Sequence, residues 1–408
     1  MTQSGPVRGM TGQPWYPWAV ALLAMLTVVG SNGMSNSGLT VFDESLLNEF
    51  QWSVGELKVR DSINFFGAAL LVFFAGWMMD RVGFKPLLLT GLALLCGVYL
   101  AYPYAETLLG VYALHCVLAL VVTCSGNLIA LITAATWMPH RRGLAVGIAV
   151  AGTSIGGMII PPLAATLNQS VGWREAMQWL AIYPALIFVL VALVVRPRKV
   201  AQRGDPSLAE GLTFGEAART PQFTLVAIAG VCTFYAILAL YSHLFLYLRS
   251  LEFEPVTAAL GLTVLSALGL TGKLGAGWAS DLVNPYHLIR FCMVLMLTGL
   301  AIIVLVPGAI WAGLALTGLG WGSLHTLYNY LLLDLFGMRA AGRINGFISA
   351  GESLGGALGI ALSGFLFDKA GDYSLAFGVM LAVMALGTLS TLRLRPVAGR
   401  PEAVGAAH

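Results

Sequence analysis

The sequence predicts an all-α integral membrane protein, with twelve transmembrane helices in two pseudo-symmetric six-helix bundles and both termini in the cytoplasm. Three observations lead to this prediction: a low charge content, long apolar segments and an internal repeat. Of the 408 residues, 58% are hydrophobic and 10% are charged, whereas an average soluble domain carries roughly 25% charged residues. A folded surface that faces lipid, rather than water, accounts for this composition.

Twelve apolar segments are each long enough to cross the hydrocarbon core, which needs roughly 20 residues per helix. Backbone polar groups in lipid must be paired internally, so we expect helices. A β-barrel would show alternating segments of about ten residues instead, and these are absent from the sequence. The predicted spans are 17–41, 58–79, 86–105, 107–136, 143–169, 175–196, 223–248, 256–280, 287–306, 308–336, 343–367 and 374–394.

The basic residues predict the orientation. When alternate loops are assigned to opposite sides, sixteen of the 22 Lys and Arg residues fall on the side that holds both termini. The five on the other side are Lys58, Arg60, Arg174, Arg249 and Lys369. Because basic loops stay in the cytoplasm, both termini are expected there. The N-terminus has no signal-peptide pattern, so we expect the first span to be retained. The lack of a targeting segment favours a bacterial inner membrane.

A long polar stretch divides the chain. We predict an N-terminal bundle at 1–196, a cytoplasmic linker at 197–222 and a C-terminal bundle with a short tail at 223–408.

The two predicted halves resemble each other. Residues 76–82 (GWMMDRV) are echoed by 277–283 (GWASDLV), and residues 151–157 (AGTSIGG) by 350–356 (AGESLGG), at offsets of 201 and 199. Parallel six-helix repeats are typical of transporters that bind their substrate near the middle of the membrane.

Two motifs carry a family resemblance. Residues 76–86 (GWMMDRVGFKP) resemble the signature that follows the second helix of the major facilitator superfamily. Residues 140–152 (HRRGLAVGIAVAG) are similar to the fifth-helix signature of its monocarboxylate transporter family, including the oxalate/formate branch. Trp18–Val20 and Thr40–Phe42 also resemble that family's first helix. The resemblance implies transport of a small organic anion by alternating access.

In that family an eighth-helix arginine binds the substrate carboxylate. The matching position, eight residues before Asp281, is Lys273. The resemblance therefore assigns the carboxylate to Lys273, which keeps the charge but not the bidentate guanidinium. The family's first-helix lysine is missing, since Asn36 or Ser37 stands there, and its eighth-helix acidic residue is replaced by Gly269.

Two charges fall inside predicted spans. A lysine at the depth of Lys273 costs roughly 2.5–3.5 kcal/mol on insertion scales, which favours a wet cavity that attracts an anion. Snorkelling to the cytoplasmic surface is the alternative. Glu352 has no acidic partner in the repeat, where Thr153 stands. A buried carboxylate can carry a proton, so Glu352 is a candidate for proton coupling, and a permanent structural pair with Lys273 is the alternative.

Uncharged polar residues recur at helical spacing in several spans. Asn32, Ser35 and Asn36 share one face, and Trp321, His325, Tyr328 and Asn329 share another. Such stripes suit a cavity wall, although interhelical packing and hydrogen bonding would produce them too. The predicted substrate-binding residues are Lys273, Asn127, Tyr328, Asn36, Asn329, His325, His243 and Tyr235.

Four charged residues at the ends of spans suggest a conformational latch. Asp80, Arg81, Lys85 and Asp281 lie at the repeated loop motif or its echo. A carboxylate there can hold a helix N-terminus or an arginine and so lock one state.

Several function classes lack their signature. No phosphate-binding loop is present, so ATP drive and nucleotide binding are not expected. No Cys/His metal spacing occurs, the net charge of +3 gives no sign of nucleic-acid binding, and no catalytic constellation indicates an enzyme. No cofactor is expected, and a proton is the expected coupling ion. The sequence is compatible with a monomer but does not fix the oligomeric state.

The favoured function is proton-coupled symport of a monocarboxylate such as lactate or pyruvate. Exchange of oxalate- or formate-like anions and transport of a neutral or zwitterionic solute, with Lys273 paired to Glu352, stay open. A membrane sensor is the alternative outside transport.

Overall fold

The computed structural model describes residues 11, 13–197, 211–280 and 282–396, with the backbone alone at positions 72, 73, 76 and 80. Short loops connect the helices of the described chain, and an isolated antiparallel bridge joins Gly211 and Gly337. The α-helices are α1 Tyr16–Val28, α2 Asp43–Phe50, α3 Val54–Val82, α4 Phe84–Ala101, α5 Leu108–Ser125, α6 Asn127–Trp137, α7 Arg142–Leu180, α8 Ile182–Val194, α9 Phe214–Ala218, α10 Pro221–Ser250, α11 Pro255–Ala279, α12 Pro285–Leu305, α13 Ile310–Phe336, α14 Ala341–Ala370 and α15 Ser374–Thr391.

Nine helical stretches of the described residues are long and apolar enough to cross a membrane. They include ten of the twelve predicted spans, because Pro139–Val194 contains two of them. The other two predicted spans lie in α3 and α13. The polar stripe of α13 lowers the hydropathy of that helix, whereas α3 contains the positions at which the structure describes the backbone alone. The chain is thus an all-helical membrane protein, while the twelve-span count and the cytoplasmic termini stay predictions.

The first predicted span changes its winding partway. It is α-helical to Val28 and continues as a π-helix over Val29–Gly38. This segment is rich in glycine and serine, and the Ser37 hydroxyl donates to the Gly33 carbonyl at 2.9 Å. A Cβ atom on Gly33 would lie 2.7 Å from Gly156 Cα, so only glycine permits this approach to α7. π-helical turns are rare and occur frequently at functional sites.

Local sequence also sets the ends of other helices. A capping box, in which the Ser53 hydroxyl accepts from the Glu56 N–H and the Glu56 carboxylate accepts from the Ser53 N–H, starts α3 at Val54. Gly126 interrupts the fourth predicted span between α5 and α6, because its backbone is extended. A Cβ atom there would lie 2.2 Å from the Val122 carbonyl oxygen.

The chain forms two compact units. The first contains the described residues of Met1–Gln202, Leu238–Ala267 and Ile360–Ala376. The second contains those of Arg203–Ile237, Leu268–Gly359 and Phe377–His408. This division does not test the predicted boundaries at 196 and 223.

Polar contacts hold the three segments of the first unit together. The Arg249 guanidinium donates to both Glu44 oxygens, at 2.7 and 2.9 Å. The Asp368 carboxylate accepts the N–H groups of Val54 and Gly55 at 2.9 and 2.8 Å, at the N-terminus of α3, where a helix dipole favours negative charge. Residues 238–267 and 360–376 are thereby fixed to the N-terminal part of the chain.

Candidate functional site

A recess in the first unit brings together polar residues from the π-helical segment, α3 and α10. It encloses about 260 Å³, including its open mouth. Asn64 Nδ2 donates to Asn36 Oδ1 at 3.0 Å, so the two amides are fixed against each other. The recess is lined by Ser35, Asn36, Asp61, Asn64, Phe65, Leu238, Tyr241 and Ser242. The enclosed part of this recess, which two amides and an apolar wall border, has room for about one water molecule.

A cluster of four buried charges adjoins this recess. Asp43, Lys58 and Arg60 have no exposed surface, and Asp61 is 6% exposed. One Asp43 oxygen accepts from Lys58 Nζ at 2.5 Å, and the other accepts from the Arg60 guanidinium. Asp61 lies 3.3 Å from Lys58 Nζ through one oxygen and 3.3 Å from Arg60 Nε through the other. The cluster therefore carries two negative and two positive charges, which limits the cost of taking them out of water.

Ser242 of α10 closes the cluster. Its hydroxyl donates to Asp61 Oδ2 at 2.6 Å, and its carbonyl accepts from Lys58 Nζ. Both bonds join α10 to α3 within the first unit. They satisfy polar groups that would be costly to leave unpaired in a buried position.

The sequence interpretation missed this cluster, because it placed Lys58 and Arg60 in a loop when the basic residues were counted. A signal was available. Lys58, Arg60 and Asp61 place opposite charges within four positions at the start of an apolar run, and Asp43 precedes them in the same polar interval. Such mixed charge beside a span indicates mutual neutralisation as readily as a solvated loop.

Three predicted substrate residues lie in the first unit. Asn36 lines the recess. Asn127 is the first residue of α6, directly after the Gly126 break, and its buried Oδ1 makes no hydrogen bond to any residue that the structure describes. His243 is fully buried. Its Nε2 lies 3.0 Å from the Ile360 carbonyl oxygen, and its Nδ1 lies 3.3 Å from the Tyr373 hydroxyl.

Lys273 lies in the second unit beside the predicted polar stripe of α13. It is half-buried, its carbonyl accepts from the Thr326 hydroxyl at 3.3 Å, and its charge acts on the neighbouring His325 ring. That ring lies 5.7 Å from the Trp321 ring. Asn329 is exposed, and its Nδ2 donates to the His325 carbonyl at 2.9 Å. A cation, an imidazole and an indole thus share one region of the second unit.

Glu352 lies where α14 approaches α10. It is 7% exposed, and its Oε1 would be 2.7 Å from a Cβ atom on Gly230. The Tyr328 hydroxyl is within electrostatic range of Glu352 and 2.9 Å from the Thr233 hydroxyl. The Tyr235 hydroxyl is buried and makes no hydrogen bond within the described part of the chain. Direct contact between Lys273 and Glu352 stays a hypothesis.

The predicted latch is described in part. The Arg81 guanidinium carbon lies 4.3 Å from the centre of the Trp77 ring, and Lys85 Nζ donates to the Ala192 carbonyl at 2.7 Å. The Asp80 side chain and the whole of Asp281 lie outside the described residues. The latch therefore stays a prediction.

A polytopic helical fold with a polar recess and charges inside its helices is typical of membrane transporters. Residues 23–360 match the Major Facilitator Superfamily, and the chain belongs to that superfamily.

The chain is also similar to individual transporters. The chain is 23% identical over 384 residues to the oxalate:formate antiporter of Oxalobacter formigenes, covering 88% of each protein. It is 32% identical over 265 residues to monocarboxylate transporter 13 of Bos taurus, covering 62% of this chain and 60% of that protein. It is 28% identical over 405 residues to monocarboxylate transporter 11 of Homo sapiens, covering 91% of this chain and 83% of that protein. The resemblance predicted from the loop and fifth-helix motifs is confirmed.

Proposed function

We propose that this protein is a secondary active transporter of a small organic anion, and that it moves a lactate- or pyruvate-like monocarboxylate together with a proton by alternating access. The proposed architecture has twelve spans in two bundles, 1–196 and 223–408, joined by a linker at 197–222. Both termini are cytoplasmic, and the membrane is a bacterial inner membrane.

The half-buried Lys273 carries the proposal. A cation inside an apolar helix is costly, and a carboxylate ligand offsets that cost. The names of the relatives support the same chemistry, since two are monocarboxylate transporters and one is an oxalate:formate antiporter. In this proposal, Lys273 binds the substrate carboxylate.

Uncharged groups orient the rest of the substrate. Asn127 Oδ1 has no partner among the described residues, so it can accept the hydroxyl hydrogen of a 2-hydroxy acid. Asn36 and Tyr328 are proposed to contribute further hydrogen bonds.

The remaining proposed substrate residues are polar side chains of α10 and α13. They are proposed as further contacts to the substrate. They are His325, Asn329, His243 and Tyr235.

Proton coupling is assigned to Glu352. A carboxylate that is 7% exposed is easier to keep buried when protonated, because the neutral form pays a smaller desolvation cost. Protonation would remove its charge as the anion binds, so that the loaded transporter carries less net charge through its conformational change. Asp80, Arg81, Lys85 and Asp281 are proposed as the latch of one conformational state.

Uptake into proteoliposomes tests the substrate assignment. Radiolabelled lactate uptake is measured with and without an inward proton gradient for wild type, Lys273→Gln and Lys369→Gln, in which the changed lysine is exposed. We expect stimulation by the gradient in wild type and in the Lys369 variant. In the Lys273 variant we expect affinity to fall about 10- to 150-fold, the range for one charge-assisted hydrogen bond. Equal loss in both lysine variants, or none in either, would contradict the proposed role of Lys273.

Glu352→Gln tests the coupling separately. Without a titratable group, lactate should no longer accumulate against its gradient, while exchange of external for internal lactate should persist because it needs no net proton movement. Loss of exchange as well would place Glu352 in binding or folding instead.

Anion exchange is the second candidate, favoured by the antiporter relative, which matches over 88% of both chains. Uptake that requires internal anion and ignores the proton gradient would select it. Uptake of a zwitterion in preference to lactate would instead favour a Lys273–Glu352 pair.

A further inference from the structure

His115 of α5 adjoins the buried charge cluster, on the side of Asp61. It has no exposed surface. Its Nε2 is 3.3 Å from the Tyr102 hydroxyl, and its Nδ1 is 4.0 Å from Asp61 Oδ1. That Nδ1 makes no hydrogen bond to any residue that the structure describes. A buried ring nitrogen without a partner needs an explanation.

The hydrogen bonds around Tyr102 favour one position for the imidazole proton. Arg60 Nη1 donates to the Tyr102 oxygen at 2.8 Å, and a guanidinium cannot accept. The hydroxyl hydrogen of Tyr102 is therefore available for donation, and His115 Nε2 is placed to accept it. A neutral His115 must then carry its own hydrogen on Nδ1, on the side of Asp61.

This arrangement leaves no place for a second proton. Nε2 already accepts from Tyr102, and the charges of Asp43, Asp61, Lys58 and Arg60 already balance. A proton on His115 would give the sealed cluster one uncompensated positive charge, which is costly in a buried site.

The contacts of Ser242 decide whether the cluster is sealed. If α10 carried Ser242 away from the cluster during transport, Asp61 would lose the 2.6 Å bond from the Ser242 hydroxyl, and Lys58 would lose a carbonyl partner. Asp61 then faces the recess with an oxygen that needs a donor, and a movement of about 1 Å brings His115 Nδ1–H into hydrogen-bonding range. The opened cluster can therefore stabilise a protonated His115.

We propose that His115 is a second proton-binding group of the transport cycle, in addition to Glu352, and that Asp61 stabilises its protonated form. The proton comes from water that enters the opened cluster, and it binds at Nε2. Tyr102 then turns its hydrogen away and accepts from Nε2–H. The cluster recloses after the proton has left. This inference rests on the proposed function and deepens it.

The first experiment requires no substrate. Histidine ¹⁵N NMR is recorded on the full chain in lipid nanodiscs, with the His115 signal assigned by its loss in His115→Gln. We expect a neutral ring protonated at Nδ1 at about pH 7.5, and a protonated ring on acidification to about pH 5. A hydrogen on Nε2 in the neutral form, or no protonation at pH 5, overturns the proposal.

The second experiment measures lactate uptake and lactate exchange in proteoliposomes from about pH 8 to about pH 5. His115→Gln should lose the acid stimulation of uptake and retain exchange. His287→Gln, which changes an exposed histidine, should match wild type. A wild-type pH profile in His115→Gln overturns the inference and leaves the proposed function standing.

If wild type shows no lactate uptake at all, the proposed function fails, and the NMR titration alone then decides the inference.

Discussion

Asp43→Asn tests whether charge balance holds the first unit together. Asp43 is fully buried and is bonded to both Lys58 and Arg60. The substitution keeps the shape of the side chain and removes its charge. Two buried cations are then left with one carboxylate, Asp61, at 3.3 Å from each.

The expected magnitude follows from that geometry. Removing one partner of a buried ion pair costs about 3–5 kcal/mol, because the remaining charge stays desolvated. We expect the free energy of unfolding to fall by about this amount. The assay is equilibrium unfolding in mixed micelles, followed by tryptophan fluorescence. Glu252→Gln is the control, since Glu252 is exposed, and it should change stability by no more than about 0.5 kcal/mol.

The double variant Asp43→Asn with Lys58→Met separates charge balance from packing. It removes one charge of each sign and leaves Arg60 paired with Asp61. We expect it to be more stable than the Asp43 single variant, with an interaction energy of about 1–3 kcal/mol. A single variant no worse than the Glu252 control, or a double variant that recovers nothing, would refute the reasoning.

Two further predictions concern the first unit. The Glu49 carboxylate accepts hydrogen bonds from Arg174 Nη1 and Nη2, at 2.8 and 2.6 Å, and this pairing holds the Glu49 pKa below its usual range. Its stabilisation is therefore present above the ordinary glutamate pKa and is lost as pH falls through the lowered value. Because the side chains are 41% and 38% exposed, Glu49→Gln should cost only about 0.2–1 kcal/mol at neutral pH, a difference that disappears in acid unfolding experiments. Gly33→Ala should destabilise by about 1–3 kcal/mol, because its Cβ would overlap the Gly156 backbone. Gly147→Ala, with nothing within 4 Å of the added atom, should be neutral or stabilising when both variants are compared by equilibrium unfolding in mixed micelles.

Composition and apolar length predicted the all-helical membrane fold, because lipid permits few other ways to pair the backbone. The loop and fifth-helix motifs predicted the superfamily. The buried cluster was not predicted, because it depends on a contact between two helices. Asp43 of α2 and Asp61 of α3 together neutralise Lys58 and Arg60 of α3. Sequence spacing shows which residues share one helix face, but not which helices meet.

The helical irregularities were missed for a related reason. Grouping Asn32, Ser35 and Asn36 on one face assumed α-helical winding, whereas Val29–Gly38 is a π-helix. The structure buries Ser35 and leaves both asparagines half-buried. The interruption at Gly126 was also not predicted, because a glycine within an apolar run is compatible with an unbroken span.

The π-helical segment Val29–Gly38 has a consequence for how this chain can vary in length. In an α-helix each residue adds a rotation of about 100°, so losing one residue turns every later side chain away from its neighbours. A segment already wound more loosely can absorb such a loss by tightening to α-helical winding, with both flanking stretches kept in register. Single-residue deletions between 29 and 38 should therefore be tolerated better than deletions in α4 or α12, and they would reposition Asn36 without displacing the rest of the helix.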